Sequence, residues 1–325
     1  MIPIARRTVR RNQAAGKLGF PVWLSSLVVA VAVTIFSFDL IACGTASTPS
    51  GGSQPQVPHS SHVVLVMEEN QSYNSVVGSS NWPNLNSLIS QGALPTNYYA
   101  NVHPSIGNYF MLVTGQVLTT KDSSIKIWNV DNLARRILAA GDTFKVYAQD
   151  IPRGYLGRKI GAYSSIIDPF VMLSDVADNP KVANQCIWPF TQFENDLNAN
   201  ALPDFSYVLP NLKDDAHSGS AQKADAWLET NVIVPLTSNP AFQSGGDGIL
   251  IVLFDEGAKS DRTHGGGHLA PVFWGPNVKT GYTQTSTTRY QHQSMLRTIL
   301  QALQLSDTLG AAAEAPSMGE FFVQK

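Results

Sequence analysis

Short apolar runs alternate along this chain with segments whose apolar positions recur every three or four residues. The runs at 62–67, 144–148, 205–208, 248–254 and 271–274 are continuously apolar, β-branched or aromatic, and predict strands buried on both faces. Between them, 83–91, 106–113, 131–140, 190–199, 221–237 and 292–304 predict helices. In the last of these, Met295, Leu296, Ile299, Leu300 and Leu303 fall on one stripe. Strand–helix alternation with unbroken apolar strands predicts an α/β domain, in which a mostly parallel central sheet carries helices on both faces. No internal repeat and no second linker interrupts it, so one domain is expected over 59–325. In such sheets the functional site lies beyond the carboxyl ends of the strands.

The N-terminal pattern differs. Arg6, Arg7, Arg10, Arg11 and Lys17 precede an apolar stretch from Phe20 to Ala42, which closes on Leu40-Ile41-Ala42-Cys43. A basic head, an apolar middle and a small-residue exit predict an export signal over 1–43. Its end resembles a bacterial lipobox, with Cys43 as the lipidated residue, although Asp39 is unusual so near the cleavage point. The expected location is the cell envelope or periplasm, anchored at Cys43. Secretion, or an uncleaved apolar anchor, is the alternative. Residues 44–58 are rich in Ser, Thr, Gly, Pro and Gln and read as a flexible tether. With Cys43 committed to lipid, Cys186 has no intrachain partner and reads as a small core residue.

Composition narrows the class. The 325 residues are 43% hydrophobic and 14% charged, which suits a globular domain with a sizeable core. Residues 1–42 carry a net +4, so the remainder carries −6 against −2 for the whole chain. No run of Lys and Arg survives in that remainder. Binding of nucleic acid, or of anionic membranes through charge, is therefore disfavoured, and membrane association is expected only through the N-terminal lipid or anchor.

The strand ends carry the chemistry. The first strand runs into Glu68-Glu69-Asn70, and the most apolar one into Asp255-Glu256. Hard oxygen donors of this kind suit a divalent cation, and equally the capping of a following turn. Ser105 opens the 106–113 helix with Asn108 three residues on. A hydroxyl there faces unpaired N–H groups and suits an oxyanion, but Ser at this position also serves as an ordinary N-cap. Asp215-x-His217 follows the 205–208 strand, and His264-x-x-x-His268 lies in a Gly-rich loop before 271–274. Each is weak by itself as a ligand pair, and the glycines prevent the two histidines from sharing a helix face.

Taken together, several of these segments resemble a known family. They are Glu69-Asn70, the His103-Pro104-Ser105-x-x-Asn108-Tyr109 segment, Pro210-Asn211…Asp215-x-His217, Asp255-Glu256, the loop ending in His268, and Tyr290-x-His292-x-Ser294. In order and spacing they are similar to the bacterial phosphoesterases, the secreted acid phosphatases and phospholipases C of the alkaline-phosphatase-like superfamily. The resemblance spans about 62–323 and implies a three-layer α/β sandwich and hydrolysis of a phosphomonoester, a small molecule or a phospholipid head-group. It implies Ser105 as the phosphoryl-accepting nucleophile, Asn108 as an oxyanion donor, and Glu69, Asn70, Asp255 and Glu256 around one divalent metal. His217 and His268, with Asp215, would stand where two-metal relatives hold a second ion or would contact phosphate. His103 and His264 are further candidates at that phosphate region. One departure is visible: relatives often carry Tyr-x-x-x-His-x-Pro, and here Tyr163 is followed by Ile167 and Pro169. The alternative readings are a phospholipase C or other phosphodiesterase, and a non-catalytic anion-binding surface lipoprotein.

Overall fold

The structure, a computed structural model, describes residues 55–324. The leader, Cys43 and most of the 44–58 tether lie outside the described residues. Gly52–Lys325 forms a compact unit. Within the described part of the 44–58 segment, the Gln56 N–H donates to Gln324 Oε1 (2.8 Å) and Val57 packs on the core. Among the described residues no helix is long and apolar enough to cross a membrane.

Eight strands form the main sheet. They are β1 (Val63–Glu68), β2 (Ala93–Leu94), β4 (Phe144–Ala148), β5 (Ile187–Pro189), β6 (Phe205–Leu209), β7 (Ile249–Phe254), β9 (Val272–Trp274) and β10 (Tyr282–Thr283). Their spatial order is β10-β2-β9-β7-β1-β6-β4-β5. Neighbours pair in parallel except at β9, which runs antiparallel to both β7 and β2. A smaller sheet pairs β3 (Tyr98–Tyr99) with β8 (His268–Leu269) and β11 (Tyr290–Gln291). Every residue of β1, β6 and β7 is buried, as unbroken apolar strands require when both faces are covered.

Each predicted helical segment forms a helix: α1 (Pro83–Gln91), α2 (Ile106–Thr114), α3 (Leu133–Ala140), α4 (Thr191–Asn198), α5 (Ala221–Leu228) and α6 (His292–Ala302); the short helices at Tyr73–Val76, Ser174–Ala177 and Pro180–Cys186 were not predicted. The expected 221–237 helix ends as α at Leu228 and continues through a π-helical turn, Glu229–Ile233. Side-chain caps start α3, where Asn132 accepts from the Arg135 N–H, and α5, where Ser220 accepts from the Lys223 N–H. Cys186 is buried, as expected of a small core residue, and is a free thiol among the described residues.

Helix α2 is buried along its whole length and ends at Gly115, whose φ of 67° lies in the left-handed region. A Cβ there would stand 2.5 Å from the Leu309 carbonyl oxygen and 2.7 Å from the Ala311 nitrogen. Gly115→Ala therefore combines left-handed strain with backbone overlap and should destabilise the fold by about 2 kcal/mol or more. A lowered Tm in thermal melts would register this, and an unchanged Tm would refute it.

Candidate active site

Three strand ends converge. The Glu69 N–H, just past β1, donates to the Asp215 carbonyl in the loop after β6 (2.8 Å). The Asp255 N–H, just past β7, donates to the Glu68 carbonyl (3.1 Å). Asn70 then turns the chain with a φ of 56°, a conformation Asn tolerates better than most residues, and its N–H donates to Asp255 Oδ1 (3.0 Å). Asn70 Nδ2 donates to Glu69 Oε2 (2.8 Å), and the Tyr109 hydroxyl on α2 donates to Glu69 Oε1. Glu69, Asn70 and Asp255 are thus locked into one cluster by backbone and side-chain bonds.

These carboxyls are buried together. Burial, then the neighbouring Asp255 and Asp215, raises Glu69 well above the ordinary carboxylate range. Burial pushes Asp255 up to about 7 and Asp215 up to about 8. Glu256 is pushed up to about 9 by burial and by the charges of Asp255 and Asp122. Asp215 Oδ2, Asp255 Oδ2 and both oxygens of Glu68 are buried without a hydrogen-bond partner.

Ser105 sits at the start of α2 with helical backbone angles, φ −45° and ψ −49°, and its hydroxyl caps nothing. The ordinary N-cap reading therefore fails. Capping is done by Asp122, whose Oδ1 accepts from the Ile106 N–H (3.3 Å). The Ser105 hydroxyl lies close enough to Asp255 and Glu256 to hold both carboxyls lower than burial alone would. It opens into a cavity of about 800 Å³ lined by Asn70, His103, Asp122, His217, Glu256 and Arg262, among others. A second cavity of about 340 Å³ shares Ser105, Asp122 and His217 and reaches Arg158, Lys159 and Ile167. The nucleophile candidate thus stands where two pockets meet.

The predicted residues separate into two groups. Glu69, Asn70, Ser105, Asp215, His217, Asp255 and Glu256 come together. His103, joined to Pro104 by a cis peptide, also reaches the cavity, but both ring nitrogens are held there. Its Nδ1 lies 3.1 Å from Glu256 Oε2 and its Nε2 2.8 Å from the Asp261 carbonyl. Asn108 braces the loop before Ser105 and reaches the site. Its Oδ1 accepts from the Asn101 and Val102 N–H groups, and its Nδ2 donates to the Val102 carbonyl (2.8 Å) and to Glu256 Oε2 (3.5 Å). His268 lines neither cavity: its ring stacks on Tyr73 (4.4 Å) and Tyr99 (4.8 Å), with Nε2 2.8 Å from the Thr96 carbonyl. His264 is turned to Tyr99 and Arg289 and lines neither cavity.

Sequence reasoning missed Asp122 and Arg158, and it gave no role to Arg262 beside the Gly-rich loop. Nothing in the local pattern of 117–127 or 153–164 signals the first two, because the fold alone brings these loops to Ser105. Tyr109 and His292 were within reach, since both belong to the quoted segments. His292, wholly buried, places Nε2 2.6 Å from the Asp255 carbonyl and Nδ1 3.1 Å from the Tyr98 hydroxyl, and so fixes the backbone of the site.

A mostly parallel sheet thus carries a buried serine and buried carboxyls at the carboxyl ends of its central strands. A protein of the alkaline phosphatase superfamily from Vibrio parahaemolyticus aligns with a TM-score of 0.50 over 80% of this chain and 71% of its own, at 16% identity, which speaks to the fold. More narrowly, the chain belongs to the Phosphoesterase family, whose model matches residues 79–306. It is 31% identical to the phosphatidylinositol-3-phosphatase of Mycobacterium tuberculosis, over 89% of this chain and 92% of that protein. It is also 31% identical to the phosphate-repressible acid phosphatase of Penicillium chrysogenum, over 54% of this chain and 43% of that one. The protein is a hydrolase acting on phosphate esters.

The buried carboxyls set a pH dependence of stability. Asp255 and Asp215 are raised from 3.8 to about 7 and about 8, so across that interval the folded chain holds more protons than the unfolded chain. Stability must then fall as pH rises. His292 acts oppositely, because burial lowers it from 6.5 to about 4, but its effect is complete once pH exceeds about 6.5. Without divalent cations, Tm should fall between about pH 6.5 and 8, and Asp215→Asn should flatten the fall. Melting curves in chelator decide this: a Tm that rises over the interval would contradict the assignment.

Proposed function

We propose that this chain is a phosphomonoesterase that works through a phosphoserine on Ser105 with the help of a divalent cation. The observation that carries the reading is the Ser105 hydroxyl, uncapped at a helix N-terminus, set against Asp255 and Glu256, and open to the cavity. The hydroxyl attacks phosphorus, and its proton passes to the adjoining carboxylates, whose raised pKa suits them as bases near neutral pH. The α2 N-terminus, Arg262 on the first cavity, and Arg158 and Lys159 on the second offset charge on the phosphate oxygens. His217, exposed and shared by both cavities, protonates the leaving alcohol; Ile167, where relatives carry a histidine, lines that same second cavity without a titratable group. Water then cleaves the phosphoserine and releases phosphate.

The fit to a cation rests on the donors. A phosphate dianion entering beside Glu69, Asp122, Asp255 and Glu256 meets like charge unless that charge is neutralised. Asp255 Oδ2 is a buried oxygen without a donor. Among the described residues no three His, Cys, Asp or Glu side chains converge as a ligand set, so the cation would draw on a mixed group: Asp255 and Glu69 with the neutral oxygens of Asn70 and Ser105. Once bound, it would supply Lewis acidity and lower the pKa of the serine hydroxyl. A second ion at Asp215 and His217 has less support, because His268 faces elsewhere. The M. tuberculosis relative's name points to a phosphoinositide monoester as one substrate class to try. The reading of 1–43 as an export signal ending at the lipidated Cys43 belongs to the same proposal.

Ser105→Ala should lower kcat on p-nitrophenyl phosphate by about a thousandfold or more. Acid quenching of the wild type should trap phosphate on Ser105; near-normal turnover by Ser105→Ala would sink the nucleophile. Chelator should abolish turnover and a divalent cation restore it, while undiminished turnover in chelator would remove the cation from the scheme. Faster hydrolysis of bis-p-nitrophenyl phosphate than of the monoester would favour the phosphodiesterase instead.

A further inference from the structure

Two neighbouring loops, 117–127 and 153–160, reach the Ser105 cavities: Asp122 lines both, and Arg158 and Lys159 line the smaller. Arg158 ties them together by donating from Nη1 to the Ser123 carbonyl (3.2 Å) and from Nη2 to the Asp122 carbonyl (3.4 Å). Ile125 (69% exposed) and Ile127 (41%) stand on the first loop, Leu156 (36%) and Ile160 (37%) on the second. These are four of the eight large apolar side chains classed as exposed among the described residues, so the exposed apolar groups are concentrated on these two loops rather than scattered. Lys121 and Lys126 interleave with them on one loop, Arg158 and Lys159 on the other. None of these four cations pairs with a carboxylate among the described residues. The one acid in the two loops, Asp122, is turned inward to the Ile106 N–H.

We propose that these two loops seat on an anionic lipid surface and present the cavity to a phosphate ester held in that surface. The proposal builds on the reading of Ser105 as the phosphate-ester site. Isolated apolar side chains spaced by long cations match a bilayer interface, where the apolar tips enter the acyl boundary and the amines meet lipid phosphates. A second copy of the chain fits less well, because a two-fold contact would set the four cations against themselves. The linear order had argued against charge-driven membrane binding, since no basic run exists. The fold gathers from two loops what the sequence separates.

The test is co-sedimentation of the compact unit beginning at Gly52 with vesicles of phosphatidylcholine alone or mixed with phosphatidylserine. Binding is expected only to the mixed vesicles and should weaken with salt. The pair Ile125→Asp with Ile160→Asp, and separately Lys121→Glu with Lys126→Glu, should reduce partitioning by roughly tenfold or more. Val234→Asp, an exposed apolar position on another element, should not. All variants should hydrolyse soluble p-nitrophenyl phosphate at the wild-type rate, which shows that they fold. Equal binding to neutral vesicles, equal binding by the loop variants, or a loop-dependent dimer in place of vesicle binding would overturn the proposal. Failure of the catalytic reading would look different: no p-nitrophenyl phosphate hydrolysis by any form, whatever the vesicle result.

Discussion

The constraint on which the site depends is the burial of like charges at the ends of strands that must themselves be buried. β1 and β7 pair in register through Glu68 and Phe254, so the acids that follow them cannot diverge. Backbone bonds from Glu69 to Asp215 and from Asp255 to Glu68 then fix three chain segments at one point. Carboxyls so placed are costly as anions and seek a proton, a donor or a cation. Tyr109 and Asn70 are the donors the fold supplies, with the Ser105 hydroxyl close by. Two carboxylate oxygens at the centre, on Asp215 and Asp255, still have none. The site is thus held slightly short of satisfaction by the same strand pairing that makes the core strong.

Much of this was legible in the order of residues. The five apolar runs became strands and the six periodic segments became helices, because hydrophobic spacing reports burial directly. The acids at the strand ends were equally readable, since a buried strand must deliver whatever follows it to the sheet edge. Less legible were orientation and long-range neighbours. Asn108 has the right spacing from Ser105, yet spacing does not say that its amide will be shared between the backbone of Asn101 and Val102 and the carboxylate of Glu256. His268 has the right motif position, but two tyrosines from distant segments hold its ring. Asp122 and Arg158 belong to loops whose sequences carry no period, so only the fold could assign them to Ser105.

The helix that bears Ser105 shows how a local rule can be overridden usefully. A serine in that place ordinarily spends its hydroxyl on the helix. Here Asp122 arrives from another loop and accepts the first helical N–H, which leaves the serine oxygen to the cavity. Gly115 closes the other end of the same helix against Leu309 and Ala311. The helix is thereby positioned at both ends by segments remote in the chain, and its orientation does not depend on the serine.

The reversed strand β9 has a consequence for how such a protein can change. Because β9 returns antiparallel along β7, the loop 255–271 leaves and re-enters the sheet at one and the same edge. Residues can be added to or removed from its middle without shifting the register of any strand. Glu256 and Arg262 lie on this loop and face the cavity. Descendants of one ancestral sheet can therefore diverge in what they admit by lengthening a single surface excursion, while the core that carries the serine and the acids is inherited intact.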